Sequence, residues 1–238
     1  MSQVVLYDLP SKGRCSCWSL NPWKTRLALN FKGIDYKTEW VEYPDIKSRL
    51  SPHVPPNTTS DTEYTIPAVQ FSDGKYIMGS TPIAERLEKE YPSPSLHLDS
   101  PIIGEVYSVI GKITETLRAV WLPRVPVNLL NECSSEYFHR TREAFIGKPL
   151  TQYMKEEGGE EAWVEALPAI KALGELVKKN GGPYVMGKTP SYPDFIIVGF
   201  LQFFKVIEED MYQRLVKVDS ALGELYDACK PWLERDGH

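Results

Sequence analysis

Cys17-Trp18-Ser19-Leu20-Asn21-Pro22-Trp23-Lys24-Thr25-Arg26-Leu27-Ala28-Leu29-Asn30-Phe31-Lys32-Gly33 reads as a polar loop running into a helix. Pro22 suits a first helical position, where its fixed φ and missing N–H cost nothing. Leu27, Leu29 and Phe31 supply apolar positions, and Lys32-Gly33 ends the helix with a basic residue and one that tolerates positive φ. The helix is therefore expected over about 22–32, with Ser19 and Asn21 just ahead of it. Unpaired N–H groups and the helix dipole there favour an anion, or a thiol that must become one. Serine and asparagine are also the commonest capping residues, so this stretch gains meaning only from its neighbours.

Upstream, Val4 to Asp8 is a short β-branched run that predicts a buried strand. Downstream, Tyr36 to Tyr43 predicts a second strand ended by Pro44, completing a right-handed parallel βαβ unit. Residues 45–63 carry Pro52, Pro55 and Pro56 without a clear period and read as an inserted loop able to cover a site. Two alternating runs, Tyr64–Phe71 and Tyr76–Met78, flank Asp73-Gly74 and predict a hairpin. A helix follows, with Ser80 or Thr81 as cap and Pro82 in its first turn, ending by Tyr91-Pro92. It brings a second anion-suited helix N-terminus beside the first.

Beyond a proline- and serine-rich linker, strand signals vanish. Ile103, Val106, Ile110, Ile113, Leu117 and Val120 recur at helical spacing until Pro123 and Pro126. Further helices are expected over about 135–145, 160–179, 195–209 and 221–233. Ser191-x-x-Asp194 is spaced as a capping box opening the third of these, apolar nearly all round. The organisation expected is a domain over 1–93, a linker over 94–101 and an all-helical domain over 102–238.

Composition narrows the function. A net charge of −5 over 238 residues argues against nucleic acid or an anionic membrane as main partner. The apolar run 195–204 is too short to span a bilayer, and the N-terminus lacks the pattern of a secretory signal. Four cysteines without a CxxC and four scattered histidines support neither a metal site nor a dithiol motif; free thiols in a cytoplasmic setting are expected.

Together these pieces resemble the cytosolic glutathione transferases over essentially the whole chain. The resemblance rests on Ser19-x-x-x-x-Lys24-x-Arg26-Leu27-Ala28-Leu29 with Lys32-Gly33-Ile34, on Ile66-Pro67, on Gly79-Ser80 before Ile83-Ala84, and on Ser191-x-x-Asp194. Trp18-Ser19-Leu20-Asn21 and Trp40 to Ile46 are more narrowly similar to the fungal class A transferases, relatives of bacterial etherases, which carry an inserted hairpin before the Ile-Pro strand. The resemblance implies an α/β thioredoxin-like N-terminal domain, an all-α C-terminal domain, glutathione as co-substrate and a homodimer. It implies that Ser19 and Asn21 donate to the glutathione sulfur, that Pro67 is cis and exposes the Ile66 backbone to the cysteinyl moiety, and that Ser80 holds the γ-glutamyl carboxylate. Gly79 stands where the family usually has an acidic residue. Lys47 and His53 are the candidates for the glycyl carboxylate, and Trp121, Tyr107 and Arg124 for the wall of a hydrophobic substrate pocket. The activity implied is conjugation of glutathione to small hydrophobic electrophiles in detoxification. The alternatives are a ligandin-type binder of aromatic compounds, and thiol chemistry at Cys15 or Cys17 (deglutathionylation or etherase-like thiolysis).

Overall fold

The computed structural model describes residues 3–58 and 62–237. Strand β1 (Val4–Asp8) is buried along its length and leads through the loop to α1 (Leu20–Phe31). Strand β2 (Tyr36–Trp40) pairs parallel to β1 from Val4↔Tyr36 to Asp8↔Trp40. It is shorter than its run of strand formers because β1 ends at Asp8, whose carbonyl accepts the last bond from Val41 (2.8 Å). A turn of 3-10 helix at Tyr43–Asp45 and the short α2 (Ile46–Leu50) follow. The rest of 45–63 forms no strand among the described residues. Asn57 closes a loop there by donating to the Thr62 and Glu63 carbonyls, and 59–61 lie outside the described residues.

β3 (Ala68–Gln70) and β4 (Tyr76–Met78) form the hairpin around Asp73-Gly74, giving a mixed sheet of order β2-β1-β3-β4. Tyr64 to Pro67 fall outside the sheet, since β1 offers β3 pairing only from Val5 to Tyr7. The Ile66–Pro67 peptide is cis, as is Ser93–Pro94. Helix α3 (Ser80–Glu90) follows β4, and its cap is Gly79 rather than Ser80 or Thr81. The chain turns into the helix at φ +95, a conformation glycine adopts freely, while the Gly79 N–H donates to the Pro67 carbonyl (2.9 Å).

All remaining elements are helices: α4 (Ile102–Thr116), α5 (Arg118–Trp121), α6 (Arg124–Asn128), α7 (Glu132–Ile146), α8 (Leu150–Glu157), α9 (Glu160–Lys178), α10 (Tyr192–Ile207), α11 (Glu209–Val218), α12 (Ser220–Ala228) and α13 (Lys230–Leu233). The helix expected to run to Val120 breaks at Leu117. The Trp121 indole N–H then donates to the Thr114 carbonyl (2.9 Å), one of the groups a helix end leaves free. Pro126 does not break α6 but sits at its third position, where no intrahelical N–H bond is lost. The last predicted helix is divided at Cys229, just before Pro231.

Helix α10 is the hub: α1, α4, α11 and α12 pack on it, and 13 of its residues are buried. Its capping box forms as expected. Asp194 accepts from Ser191 N (2.7 Å), Ser191 Oγ (2.8 Å) and Val185 N (2.7 Å). Lys32 ties the end of α1 to α3 and the linker, donating to Glu88 Oε2 and the Pro94 carbonyl (2.8 Å each) and to the Tyr91 carbonyl. No helix among the described residues is long and apolar enough to cross a membrane.

Candidate functional site

Helix α1 begins two residues earlier than its proline suggested. The Ser19 carbonyl accepts from Trp23 N (3.1 Å), so Ser19 is the N-cap, Asn21 lies within the first turn, and Pro22 is the third helical residue. An N-cap serine ordinarily bonds its hydroxyl to an N–H of the second or third helical residue. Here the third is a proline with no N–H to give. The Ser19 hydroxyl makes no capping bond, to the Asn21 N–H at the second position or elsewhere, and keeps both its donor and its acceptor capacity.

The loop before Ser19 is held from several sides. The Trp18 indole donates to the Pro10 carbonyl (3.2 Å), Ser16 N to Ser11 Oγ (3.0 Å), and Cys17 N to the Asp236 carbonyl (2.8 Å) in the C-terminal segment. Beneath it, Arg26 and Asp8 form an ion pair at 2.8 Å with both side chains fully buried. Arg26 also donates to Thr38 Oγ1 (2.8 Å), joining α1, β1 and β2. A buried pair with these added hydrogen bonds is costly to break from one side and holds the helix in register with the sheet.

Two adjoining clefts meet at Ser19. One, of about 440 Å³, is lined by Trp18, Lys24, Tyr107, Ile110, Thr114, Trp121, Phe138 and Phe203 among others; the second, of about 580 Å³, by Lys47, Glu63, Tyr64, Thr65, Ile66 and Tyr137. Both share Ser19, Asn21, Tyr43 and Arg142. The first is aromatic and aliphatic, the second polar. Ser19 thus presents an uncommitted hydroxyl at a helix N-terminus where an apolar and a polar compartment join. That arrangement can hold a bound anion at the seam between two unlike molecules.

The other residues singled out in the sequence fall as follows. Tyr107 and Trp121 line the apolar cleft, Lys47 and Ile66 the polar one. Lys47 is exposed and paired with Glu63 (2.6 Å). His53 stacks on Tyr76 with ring centroids 4.0 Å apart, off the walls of both clefts. Ser80 is the first residue of α3; its carbonyl accepts from Tyr192 OH (3.2 Å), and the neighbouring Thr81 hydroxyl lies 3.3 Å from Tyr107 OH. Arg124 faces away, bonded to Glu208 (2.8 Å) and to the Val120 carbonyl. Cys17 is 1% exposed, and burial, then the Asp8 carboxylate, pushes its thiol well above the ordinary range. Burial also raises the Cys15 thiol. Neither carries the depressed pKa of a reactive cysteine.

Among the cleft residues not singled out as site residues from the sequence are Lys24, Tyr43 and Arg142. Lys24 lies one turn beyond Asn21, and burial pulls its ammonium down to about 8. Tyr43, its phenol pushed up to about 12 by burial, is fixed where its backbone N–H donates to Ser134 Oγ (2.9 Å) and its ring stacks on Tyr137 at 6.0 Å. Arg142 comes from α7 and lies over the rings of Tyr43 (5.5 Å) and Phe138 (4.8 Å). Lys24 and Tyr43 carried a local signal, the one standing a helical turn beyond Asn21 and the other beside a proline. Arg142, more than a hundred residues away, carried none.

Comparison with known proteins bears on this geometry. Residues 18–90 match the family model for the glutathione S-transferase N-terminal domain, and residues 107–232 that for the C-terminal domain. A glutathione S-transferase-like protein, ustS, of Aspergillus flavus is 34% identical over 99% of this chain and 93% of its own length. Glutathione transferase GSTFuA2 from Phanerochaete chrysosporium superposes with a TM-score of 0.85 at 29% identity, over 99% of this chain and all of that one. A glutathione S-transferase of Ceriporiopsis subvermispora, solved in complex with glutathione, gives 0.83 at 28% identity, over 97% of this chain and 98% of its own.

Proposed function

The chain belongs to the glutathione S-transferase family, and on that premise we propose that it binds glutathione in the polar cleft and conjugates it to small hydrophobic electrophiles held in the apolar one. The observation carrying this reading is the uncapped Ser19 hydroxyl at the seam of the two clefts. A free thiol has a pKa of about 8.5 and is mostly protonated at neutral pH. The Ser19 O–H donates to the glutathione sulfur, the Asn21 amide is a second donor, and the N-terminus of α1 adds its positive end. The proton leaves to solvent. The thiolate then attacks the electrophilic carbon, a C–S bond forms, and the leaving group departs with its electron pair.

The remaining roles follow the shape of glutathione. The Ile66 backbone before cis Pro67 pairs with the cysteinyl moiety, and Ser80, entering α3 behind Gly79, takes the γ-glutamyl carboxylate on its hydroxyl and on the free N–H groups of the first turn. Lys47, on the wall of the polar cleft, is better disposed toward the glycyl carboxylate than His53, which is engaged with Tyr76. Tyr107 and Trp121 contact the electrophile, while Arg124 serves the α10–α11 corner. Association as a homodimer belongs to this reading.

The volume of the apolar cleft supports a second reading: carriage of aromatic compounds or glutathione conjugates with little turnover. The burial of Cys17 counts against thiol catalysis by the protein itself. Calorimetric titration with glutathione and turnover of a chlorodinitroarene test the proposal. Ser19→Ala is expected to lower kcat/KM about a hundredfold. Absence of glutathione binding at millimolar concentration overturns both readings; binding without turnover selects the second.

A further inference from the structure

Lys24 is 4% exposed yet opens onto the apolar cleft. Its stem packs on α10 at Gly199, where an added Cβ would stand 3.6 Å from Lys24 Cγ. Its ammonium lies 4.9 Å from the ring centroid of Tyr107. Among the described residues no carboxylate pairs with it, and none of those lining this cleft is aspartate or glutamate. The other cation on the wall, Arg142, donates to Thr141 Oγ1 (3.0 Å) and also lacks a carboxylate partner among the described residues. The apolar cleft thus holds two cations, several aromatic faces and no anion. Elsewhere on α1 a buried ammonium is met with oxygens: Lys32 has Glu88 and two carbonyls. A buried charge left without a partner is costly, and a ring face compensates only in part.

We propose that Lys24 makes this cleft selective for an aromatic second substrate or cargo carrying one negative charge, with the anionic group seated against the ammonium beside Tyr107. The inference rests on the reading of the cleft as the second-substrate compartment. Arg142 stands at the seam with the polar cleft and guides the same charge inward, and the rings of Trp121 and Phe203 cover the aromatic body. The titratable or charged groups facing Lys24 from the cleft walls are Tyr107 on α4, Tyr43 before α2 and Arg142 on α7. Burial sets the Lys24 ammonium near pH 8, and arginine at this position keeps the charge there, so the Lys24→Arg variant shows whether a loss of anion affinity is the lysine's own.

The test uses two fluorescent probes of similar size, anionic anilinonaphthalene sulfonate and neutral phenylnaphthylamine. Their Kd values are measured across neutral to alkaline pH for the wild type, Lys24→Met and Lys24→Arg. The wild type is expected to favour the anionic probe about tenfold, and this preference declines as pH rises past about 8. Lys24→Met removes the preference, whereas Lys24→Arg keeps it and abolishes the pH dependence. Should Lys24→Met fold poorly, the wild-type pH profile and the arginine variant still decide. An anionic-to-neutral ratio equal in wild type and Lys24→Met overturns the proposal. So does a Lys24→Met effect confined to the pKa of bound glutathione, which assigns the lysine to the sulfur instead. Glutathione calorimetry on the same proteins separates the two claims: its failure sinks the proposed function, while an unchanged probe ratio beside normal glutathione binding sinks only this inference.

Discussion

Helices α1 and α10 both open on a serine in extended conformation, yet the two hydroxyls have opposite fates. Ser191 is fully buried and bonded to Asp194, the third residue of its helix. At the third position of α1 stands Pro22, which offers neither a carboxylate nor an N–H, and Ser19 is left open to two clefts. The third residue, aspartate in one helix and proline in the other, is one difference between a serine that caps a core helix and a serine whose hydroxyl caps nothing. The two buried lysines of α1 repeat the contrast: Lys32 is saturated with oxygen partners, and Lys24 faces only a ring.

If the contrast is sound, changes on the saturated side cost stability and changes on the open side do not. The largest effect is expected for Asp194→Ala, which strands two buried backbone N–H groups and a hydroxyl. A loss of about 3 kcal/mol or more should appear in urea unfolding.

Lys24→Met should do the reverse. Burial lowers the folded-state pKa of Lys24 from 10.5 to about 8, so below pH 8 its charge works against folding. Between about 8 and 10.5 the unfolded chain binds the extra proton, and wild-type stability gains with rising pH. The variant is thus expected to be more stable than wild type at pH 7 by roughly 2 kcal/mol, with the gap closing above pH 10. A destabilised variant at neutral pH would show that the ammonium has a partner.

Ser191→Ala is expected to cost about 1 kcal/mol, as loss of an N-cap does. Ser19→Ala should lie within about 0.5 kcal/mol of wild type while impairing function. Pro22→Ala sharpens the point. It adds an N–H at the third position beside that of Asn21, so the hydroxyl is expected to turn to capping and the bound thiol to become less acidic with the serine still present.

How much of this was legible varied with how local the cause was. Strand β1, the Lys32-Gly33 stop and the capping box of α10 were all readable, because each is decided by neighbours in the chain. The family pattern conveyed the fold as a whole. The start of α1 was misread by two residues, since proline fits any of the first helical positions and only the Ser19–Trp23 bond tells them apart. Helix α8 buries only Leu150, too small a face to read, whereas α11 buries Met211, Tyr212 and Leu215 at helical spacing and its period went unread. The meeting of Lys24, Tyr43 and Arg142 belongs to tertiary packing and was invisible in the sequence.

The central claim is that the Ser19 hydroxyl caps nothing at the start of α1 and that, left free, it stabilises a thiolate. The most direct measurement is the ultraviolet absorbance of the thiolate of bound glutathione, titrated against pH in wild type and Ser19→Ala. The account predicts a wild-type pKa below that of free thiol and a rise of at least about one unit in the variant. Superimposable titration curves for the two proteins would contradict it.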